Sequence, residues 1–406
     1  MLPPLLGFNV EEGCMLNFDY RAPTRLIFGK GEEGKVGRRI ADYGGSKALV
    51  VFEGTGLEWE TRLIDGVSTS LQESGVEVVL FSGIKPNPEV ARARAAAEVI
   101  RAQDVDFVLG VGGGSAIDTA KFAAVQARYA GDLWEDCFLR RDKPVPQARV
   151  PLGTIITLAG TGTEASEACL LKSGSVKRGM DNAVMQPVFS ILNPELTFSV
   201  PAYPTACGAA DILCHLHESY FTNTPDVWFM DELIEGAMRT VIKYAPIAVT
   251  DPMNYDARAQ LMLAGTFANS HLTWCGREDD GAVHFIQEPI SALYDTAHGA
   301  GVAVITVGWM KYVYHNNIPR FVRYFTKVWN LPSDEFDPES VVGAGIERQI
   351  RFYEELGLSV HAKDVGVRDE DIEELARAAE PRSHGKVGNF VRLGEEDIVR
   401  ILRLCA

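Results

Sequence analysis

The sequence predicts an α/β domain built on a parallel sheet, followed by an all-α domain. Between residues 25 and 130, short apolar runs alternate with amphipathic stretches of helix length, which is typical of strands joined by crossover helices. From about residue 200 the patterns are mainly helical, as in residues 226–244 and 256–270. The 406 residues exceed one ordinary core and suit two domains of about 200 residues each. We therefore expect one domain at residues 1–198 and a second at residues 199–406.

Each strand of the first domain is predicted from an apolar run rich in β-branched residues. Amphipathic stretches at residues 61–74 and 88–102 predict helices between the strands. The sheet is expected to be parallel because successive strands are separated by enough residues for a crossover helix. The predicted strands are residues 25–28, 48–52, 76–81 and 107–111, with residues 154–157 and 188–192 extending or flanking the same sheet.

The composition excludes several classes of partner. The formal net charge is −16, which argues against nucleic acid and anionic membranes because both attract basic surfaces. No run of about 18 apolar residues is present, so no membrane span is expected. Residues 1–16 lack a basic leader and carry Glu11 and Glu12, so they do not resemble a secretory signal. The seven cysteines form an odd, scattered set without a Cys-x-x-Cys pair, which favours thiols in a reducing compartment, the cytoplasm.

A glycine loop lies between a predicted strand and a predicted helix. Gly112, Gly113, Gly114 and Ser115 follow the strand at residues 107–111. Consecutive glycines let a backbone approach a pyrophosphate closely, and a helix N-terminus offers unpaired N–H groups. The spacing departs from the G-x-G-x-x-G fingerprint because Ser115 stands at the last glycine position. Phosphate binding is the favoured interpretation, and a plain tight turn is the alternative.

Glu53 is a second candidate for nucleotide binding. It follows the predicted strand at residues 48–52 and precedes a Gly-Thr-Gly turn. A carboxylate at this end of a strand binds ribose hydroxyls and repels a 2′-phosphate, which favours NAD over NADP. An ordinary surface glutamate explains the pattern equally well. The loop at residues 158–164 is rich in small hydroxyl residues and is a weaker candidate of the same kind.

Asp211 and His215 form a candidate metal-binding pair. They stand four residues apart in a predicted helix, so both side chains project from one face. Glu218 lies on that same face, whereas His217 points elsewhere. A carboxylate with imidazole nitrogens suits Fe²⁺ or Zn²⁺ better than Mg²⁺ or Ca²⁺, which prefer oxygen. A surface ion pair is the more common explanation for an isolated Asp-x-x-x-His spacing.

Two further histidines lie in apolar surroundings. His284 stands within Gly-Ala-Val-His-Phe-Ile, and His298 within Thr-Ala-His-Gly-Ala-Gly. An imidazole buried among such residues is costly unless it is bonded, and Pro289 between the two predicts that they belong to separate, converging elements. For the remaining histidines the pattern indicates solvated or structural roles; they are His271, His315, His361 and His384.

Taken together, these motifs resemble the iron-containing (group III) alcohol dehydrogenase family, and within it the branch of butanol dehydrogenases and long-chain aldehyde reductases. The likeness covers nearly the whole chain, and so many motifs in one order are highly specific. The segments that carry it are residues 24–31, 83–88, 110–121, 208–215 and 291–299.

The resemblance implies a Rossmann-like dinucleotide-binding domain and a helical metal-binding domain, with the metal in the cleft between them. By position in the family's motifs, the implied ligands of Fe²⁺ or Zn²⁺ are Asp211, His215, His284 and His298. The implied cofactor contacts are Gly112, Gly113, Gly114, Ser115, Asp118, Thr157, Thr161 and Lys177, with Glu53 at the position that senses the adenosine ribose.

One position departs from the family pattern. Four residues after His284, members of this branch usually carry a histidine close to the nicotinamide, and here the residue is Glu288. Glu288 is not a ligand position, so metal binding is expected to survive, whereas the proton path and the choice of substrate are open. The preceding segment, residues 277–281, is also shorter and more acidic than is typical.

The expected activity is reversible hydride transfer between NAD(H) and a primary alcohol or aldehyde, with the metal as Lewis acid on the substrate oxygen. NADP(H) is the less favoured cofactor, and the proton leaves through water, a ribose hydroxyl or Glu288. A homodimer or higher homo-oligomer is expected. The alternatives are a glycerol-dehydrogenase-like enzyme, a dehydroquinate-synthase-like lyase, and a non-catalytic nucleotide-binding protein with a decayed site. The lyase would need a basic pocket, which Asp279 and Asp280 argue against.

Overall fold

The computed structural model describes residues 14–379 and 385–405, which form two compact units. The first unit comprises residues 21–199, and the second comprises residues 200–405 together with residues 14–20. The division after Ser199 lies one residue beyond the predicted boundary. The N-terminal segment differs from the prediction because Leu16 N donates to the carbonyl of Gly276 at 3.0 Å, which ties it to the second unit.

Two expectations concern residues outside this description. The absence of a secretory signal rests mainly on residues 1–13, and His384 lies in the second undescribed stretch. Within the described ranges, no helix is long and apolar enough to cross a membrane.

A six-stranded parallel sheet forms the centre of the first unit, which confirms the predicted α/β class. Every predicted strand is present, and each observed limit lies within two residues of the predicted one. The strand order is β1-β8-β5-β4-β2-β3, and a separate antiparallel hairpin pairs β6 with β7. The strands are β1 (Arg25–Phe28), β2 (Lys47–Val51), β3 (Glu77–Phe81), β4 (Phe107–Gly112), β5 (Leu152–Ile156), β6 (Ala168–Ser173), β7 (Val176–Asp181) and β8 (Phe189–Leu192).

The hairpin of β6 and β7 was not predicted. Its strands carry charged residues such as Lys172, Lys177 and Arg178 and therefore contain no long apolar run. The turn between them consists of Gly174 and Ser175, and Gly174 has a φ of 61°. A two-residue turn beginning with glycine is the sequence signal that identifies such a hairpin.

Helices cover both faces of the large sheet. Val50 and Leu109 pack on one face with apolar residues of the helix at residues 58–73. Leu49 and Val108 pack on the other face with alanines of the helices at residues 90–102 and 114–126. Because both faces are buried, the central strands are continuous apolar runs rather than alternating ones. The helices of this unit are α1 (Val36–Asp42), α2 (Glu58–Glu73), α3 (Val90–Ala102) and α4 (Gly114–Gln126).

Three candidate cofactor segments meet at the carboxyl edge of the sheet. Glu53 follows β2, the glycine loop follows β4, and Thr157 follows β5. These strands are neighbours in the order β5-β4-β2. In parallel sheets the carboxyl ends of adjacent strands lie at one edge, where ligands bind in open α/β folds.

The second unit is helical, as predicted, and its described residues form nine α-helices. The predicted helices at residues 226–244 and 256–270 correspond to the second and third of them. The bounds are α5 (Ala202–Tyr220), α6 (Trp228–Thr250), α7 (Tyr255–Ala268), α8 (Ala282–Tyr294), α9 (His298–Val313), α10 (Ile318–Trp329), α11 (Pro338–Glu355), α12 (Ile372–Ala378) and α13 (Glu395–Leu404).

Helices α5 and α9 approach each other closely at Gly299. A Cβ at this position would lie 2.0 Å from the carbonyl oxygen of Cys207 on α5. Only glycine allows this distance between the two backbones. The contact brings the start of α9, where His298 lies, beside the part of α5 that carries Asp211.

The acidic segment at residues 277–281 is structural. The Arg277 guanidinium is buried and pairs with Asp231 at 2.9 Å, and Arg320 pairs with the same carboxylate at 2.5 Å. The Asp280 Oδ1 atom accepts the backbone N–H groups of Asn389 and Phe390, each at 2.8 Å. Asp280 is 1% exposed and not available to a substrate, so it gives no argument against a polyanionic one.

Burial gives Asp280 an unusual titration. Although backbone N–H groups oppose the effect, burial raises the pKa of this carboxyl from an ordinary value of 3.8 to about 7. The folded chain therefore holds the proton more tightly than the unfolded chain. Its stabilising contribution is complete below about pH 3.8 and is lost as the pH rises through 7.

We predict that Asp280→Asn gains stability relative to the parent protein as the pH rises. The amide oxygen still accepts the two N–H groups, but the cost of burying a charge is removed. Given the pKa of about 7, the difference in free energy of unfolding between the two proteins should move by about 4 kcal/mol between pH 4 and pH 8. Urea unfolding across this range measures it.

The matched control is Glu278→Gln, which removes an exposed carboxylate two residues away. Its free energy of unfolding should follow that of the parent protein to within about 0.5 kcal/mol. A difference between Asp280→Asn and the parent that stays constant over the whole pH range would contradict the assignment.

Candidate functional site

Helix α5 supplies the central carboxylate of the candidate metal site. Asp211 is 4% exposed, and His215 and Glu218 follow it on the same face, as the helical spacing predicts. The helix is apolar around these residues, with Ile212, Leu213 and Leu216 fully buried. Asp211 is therefore buried in the second unit, and His215 and Glu218 are half-buried beside it.

Helices α8 and α9 bring two histidines to this carboxylate. His284 Nε2 lies 3.4 Å from Asp211 Oδ1, and His298 Nε2 lies 3.5 Å from the same oxygen. The expectation of two converging elements agrees with this geometry, although Pro289 lies within α8 and does not end it. The helix that carries His298 begins at that residue.

His215 completes the predicted group of four. Its ring stacks on that of His284 with the centroids 4.6 Å apart, and its Nδ1 atom lies 3.7 Å from Asp211 Oδ1. This buried nitrogen has no hydrogen-bond partner in the described ranges. Burial lowers the pKa of His215 below its ordinary value, against the effect of Asp211, so the ring is neutral at neutral pH.

The tautomer of His284 follows from its contact with Glu218. His284 Nδ1 lies 2.8 Å from Glu218 Oε2, and Glu218 Oε1 accepts the backbone N–H of His284 at 3.1 Å. A carboxylate can only accept, so Nδ1 carries a proton and donates it. In the neutral ring, Nε2 then presents a lone pair toward Asp211.

The tautomer of His298 follows from a longer chain of hydrogen bonds. The carbonyl of Thr296 can only accept, so Ser291 Oγ donates to it, at 3.1 Å. Ser291 Oγ therefore accepts from Gln287 Nε2, at 2.5 Å, which leaves Gln287 Oε1 to accept from His298 Nδ1, also at 2.5 Å. His298 Nε2 then also presents a lone pair toward Asp211.

Hydrogen-bond acceptors thus converge around one oxygen. Ligand atoms of Asp211, His284 and His298 all lie within 4.8 Å of one another. Burial opposes ionisation of Asp211, but the three imidazoles outweigh it and lower the pKa of the carboxyl. Burial likewise opposes a charge on His284, yet the carboxylates of Glu218 and Asp211 raise its pKa well above the ordinary value. The site demands a cation, either a proton or a metal ion.

The oxygen and nitrogen lone pairs of these side chains fit a metal ion better than a proton. A single proton on His284 would still leave the Nε2 lone pair of His298 facing the same carboxylate oxygen. One carboxylate oxygen with three imidazole nitrogens suits Fe²⁺ or Zn²⁺ and is too rich in nitrogen for Mg²⁺ or Ca²⁺. The residues present therefore fit the metal that the resemblance implies.

Cys214 lies on the other side of His284 and does not join this set. Its Sγ atom is 3.5 Å from His284 Nδ1, the nitrogen that donates to Glu218. Burial raises the pKa of the Cys214 thiol to about 12. Because Sγ lies against Nδ1 and not against Nε2, it is on the side of the ring away from Asp211.

The glycine loop of the first unit encloses the Glu53 carboxylate. Glu53 Oε1 accepts the N–H of Gly113 at 2.8 Å. A Cβ at Gly112, whose φ is 145°, would lie 2.2 Å from Glu53 Oε2. Burial raises the pKa of Glu53 to about 7, against the effect of this hydrogen bond. The requirement for glycine at this position thus comes from the carboxylate as well as from any phosphate.

The start of α4 fits a pyrophosphate. No side chain caps its N-terminus, so the first N–H groups of the helix, including those of Gly114 and Ser115, lack intrahelical acceptors. Thr161 lies beside Gly114, where an added Cβ would be 3.0 Å from the threonine hydroxyl. Thr157 N donates to the carbonyl of Gly112 at 3.0 Å. Thr157 and Thr161 therefore border the loop.

Asp118 and Lys177 hold other parts of the first unit together. Asp118 accepts hydrogen bonds from Thr163 Oγ1 at 2.6 Å and from the N–H of Leu170 at 3.0 Å. Both of its oxygens accept hydrogen bonds inside the protein, and the bond from Thr163 indicates that Asp118 positions the loop at residues 158–164. Lys177 Nζ donates to Asn87 Oδ1 at 3.2 Å. Their cofactor contacts stay predictions.

Glu288 lies on α8, one turn after His284, and is 5% exposed. This places the position that departs from the family pattern on the helix that supplies a candidate ligand. Its role in proton transfer stays a prediction.

The contact of Gln287 with His298 was not predicted from the sequence. Glu218 was predicted to share a helix face with Asp211, but its contact with His284 was not predicted. For Glu218, the spacing of seven residues from Asp211 was the available signal. For Gln287 no such signal existed, because its contact with His298 depends on the turn between α8 and α9.

Comparison with known proteins gives a consistent result over both halves of the chain. Residues 23–194 match the family model described as iron-containing alcohol dehydrogenase. Residues 205–405 match the C-terminal model of the Fe-containing alcohol dehydrogenase family.

Two curated relatives are similar over nearly the whole length. NADH-dependent butanol dehydrogenase A of Clostridium acetobutylicum is 33% identical over 392 residues, which cover 96% of this chain and 99% of the relative. NADPH-dependent aldehyde reductase YqhD of Escherichia coli is 30% identical over 376 residues, which cover 92% and 95%.

A solved structure agrees with these matches. The crystal structure of NADH-dependent butanol dehydrogenase A from Thermotoga maritima is 33% identical and aligns with a TM-score of 0.91 over 97% of this chain and 100% of that chain. The predicted resemblance is thereby confirmed. The chain belongs to the iron-containing alcohol dehydrogenase family, in its butanol dehydrogenase and aldehyde reductase branch, and is an NAD(P)-dependent alcohol dehydrogenase or aldehyde reductase.

Proposed function

We propose that this enzyme interconverts a primary alcohol and its aldehyde, with NADH as the preferred cofactor, at a divalent metal held by Asp211, His215, His284 and His298. The observation that carries the proposal is the convergence of His284 Nε2 and His298 Nε2 on Asp211 Oδ1, at 3.4 and 3.5 Å. The family match favours this activity over the glycerol-dehydrogenase-like and dehydroquinate-synthase-like alternatives.

In this reaction the protein's own residues bind the metal and the cofactor and orient the substrate. When bound, the metal supplies Lewis acidity toward the substrate oxygen and the nicotinamide exchanges the hydride. Asp211 contributes the negative charge of the ligand set, and the three histidines contribute neutral nitrogens. Fe²⁺ and Zn²⁺ both accept such ligands.

The carboxyl edge of the first unit supports nucleotide binding. The N-terminal N–H groups of α4 suit a pyrophosphate, with Thr157 and Thr161 beside them. Glu53 lies at the end of β2, where a carboxylate accepts ribose hydroxyls and repels a 2′-phosphate. The preference for NADH rests on this residue, because the similar proteins include both NADH- and NADPH-dependent enzymes.

Glu288 is proposed to take part in the proton transfer that accompanies hydride transfer. Reduction of an aldehyde delivers a hydride to carbon and a proton to oxygen, and a nearby carboxyl group can exchange that proton. Glu288 is buried one helical turn from His284. It stands where members of this branch usually carry a histidine that titrates near neutral pH.

The proposal is tested with metal-stripped protein that is reloaded anaerobically with Fe²⁺ or Zn²⁺ and assayed with NADH and a panel of aldehydes. Only the reloaded protein should oxidise NADH in an aldehyde-dependent manner.

His298→Ala should lose metal and turnover, because one of the converging nitrogens is gone, while NAD⁺ binding stays close to that of the parent. Glu288→Gln should retain metal but lower kcat by about 10²–10⁴-fold.

Two results of this assay would contradict the proposal. Full turnover by the metal-stripped protein would remove the metal from the reaction. Absence of turnover with every aldehyde after reloading would support the alternative of a non-catalytic nucleotide-binding protein.

We predict that the preference for NADH over NADPH depends on Glu53 and on pH. Because the pKa of Glu53 is raised to about 7, its negative charge, and hence its repulsion of a 2′-phosphate, grows as the pH rises through 7. The ratio of kcat/KM for NADH to that for NADPH should therefore rise, by roughly tenfold, between pH 6 and pH 8. Steady-state kinetics with both cofactors measure it.

In Glu53→Gln the ratio should be lower and nearly independent of pH. Glu58→Gln, which removes an exposed carboxylate at the start of α2, should behave like the parent. Equal or better turnover of the parent enzyme with NADPH would refute the assignment to Glu53.

Two finer expectations accompany this proposal. Location in a reducing compartment, the cytoplasm, is an expectation from the odd, scattered set of seven cysteines. Assembly as a homodimer or higher homo-oligomer is an expectation that light scattering of the purified enzyme would test.

A further inference from the structure

We infer that Glu218 and Gln287 are positioning residues that fix the metal-binding tautomers of His284 and His298, and that Glu218, as the charged member of the pair, controls metal affinity more strongly. The inference rests on the proposed metal site and concerns two side chains that are not ligands themselves. Each holds a proton on Nδ1, so that Nε2 faces Asp211 as a lone pair.

Glu218 is locked in place by three contacts. Its Oε2 lies 2.8 Å from His284 Nδ1, its Oε1 accepts the backbone N–H of His284 at 3.1 Å, and its own carbonyl accepts the N–H of Asp280 at 2.9 Å. The carboxylate therefore cannot move away from the ring without breaking contacts with the start of α8. A negatively charged acceptor behind a ligand imidazole fixes its orientation and makes the opposite nitrogen a stronger donor to a metal.

Gln287 achieves the same orientation without charge. Its amide is held between His298 Nδ1 and Ser291 Oγ, each at 2.5 Å. The neighbouring α9 leaves room for it at Gly301, where an added Cβ would lie 2.5 Å from Gln287 Nε2. The side chain thus occupies a fitted space, and its orientation is set by the backbone carbonyl of Thr296.

The difference in charge predicts a difference in effect. Together with Asp211, Glu218 places a second carboxylate next to the site, and two negative charges match the charge of a divalent cation. Gln287 contributes orientation alone. Replacing Glu218 by Gln removes the negative charge and, because an amide has a single acceptor oxygen, keeps only one of the two hydrogen bonds to His284.

The test measures the affinity of metal-stripped protein for Co²⁺ and Zn²⁺ by competition with a chromophoric chelator. Glu218→Gln should bind about 10–100-fold more weakly than the parent, because the second charge and one of the two hydrogen bonds to His284 are lost. Gln287→Leu should weaken binding by a smaller factor, since only the orientation of His298 is lost. Cys214→Ser, which alters another neighbour of His284 Nδ1, should bind like the parent.

A spectroscopic readout separates positioning from general damage. In the Co²⁺-loaded protein, proton NMR should show strongly shifted, exchangeable signals from the Nδ1–H groups of His284 and His298. Gln287→Leu should remove or move the His298 signal alone, and Glu218→Gln the His284 signal alone. Circular dichroism of the metal-stripped variants should match that of the parent.

The outcomes distinguish this inference from the proposed function. If the parent protein binds no metal, the proposed function fails. If the parent binds metal and Glu218→Gln binds it equally well, the inference fails alone. A second metal equivalent that disappears in Cys214→Ser would also overturn it, because Glu218, Cys214 and His284 Nδ1 would then be ligands of another ion.

Discussion

The second unit is arranged around one constraint: the buried carboxylate of Asp211 and the histidines beside it require a cation. A buried carboxylate faces two imidazole lone pairs whose direction is fixed by hydrogen bonds on the far side of each ring. A cation satisfies all of these acceptors at once, and Fe²⁺ or Zn²⁺ does so with preferred ligands. The close crossing of α5 and α9 at Gly299 and the anchoring of α8 through Glu218 serve this geometry.

The first unit also buries a carboxyl group, that of Glu53, at the carboxyl edge of its sheet. Burial of Glu53 against the glycine loop places a carboxyl with a pKa of about 7 beside helix N–H groups that suit a pyrophosphate. Its charge at neutral pH is therefore adjustable, unlike that of an exposed glutamate. The proposed preference for NADH over NADPH, and the proposed dependence of that preference on pH, both rest on this charge.

Most of the architecture was predictable from sequence, because buried parallel strands are continuous apolar runs and helices keep their period. The hairpin of β6 and β7 was missed since residues such as Lys172 and Lys177 interrupt the apolar pattern. The four candidate ligands came from the order of family motifs, as spacing alone favoured a surface pair for Asp211 and His215. The role of Gln287 could not be predicted, because its contact with His298 depends on tertiary packing. Asp280 was wrongly expected to line a substrate pocket, because the charge of a residue does not reveal that it is buried.

X-ray absorption spectroscopy of the Zn²⁺-loaded enzyme distinguishes a site centred on Asp211 from one that includes Cys214. We predict a coordination sphere of nitrogen and oxygen only, at about 2.0–2.2 Å, with the scattering pattern of several imidazoles. A sulfur atom at about 2.3 Å would contradict it, because Cys214 would then be a ligand and the acceptors around Asp211 would not be the metal site.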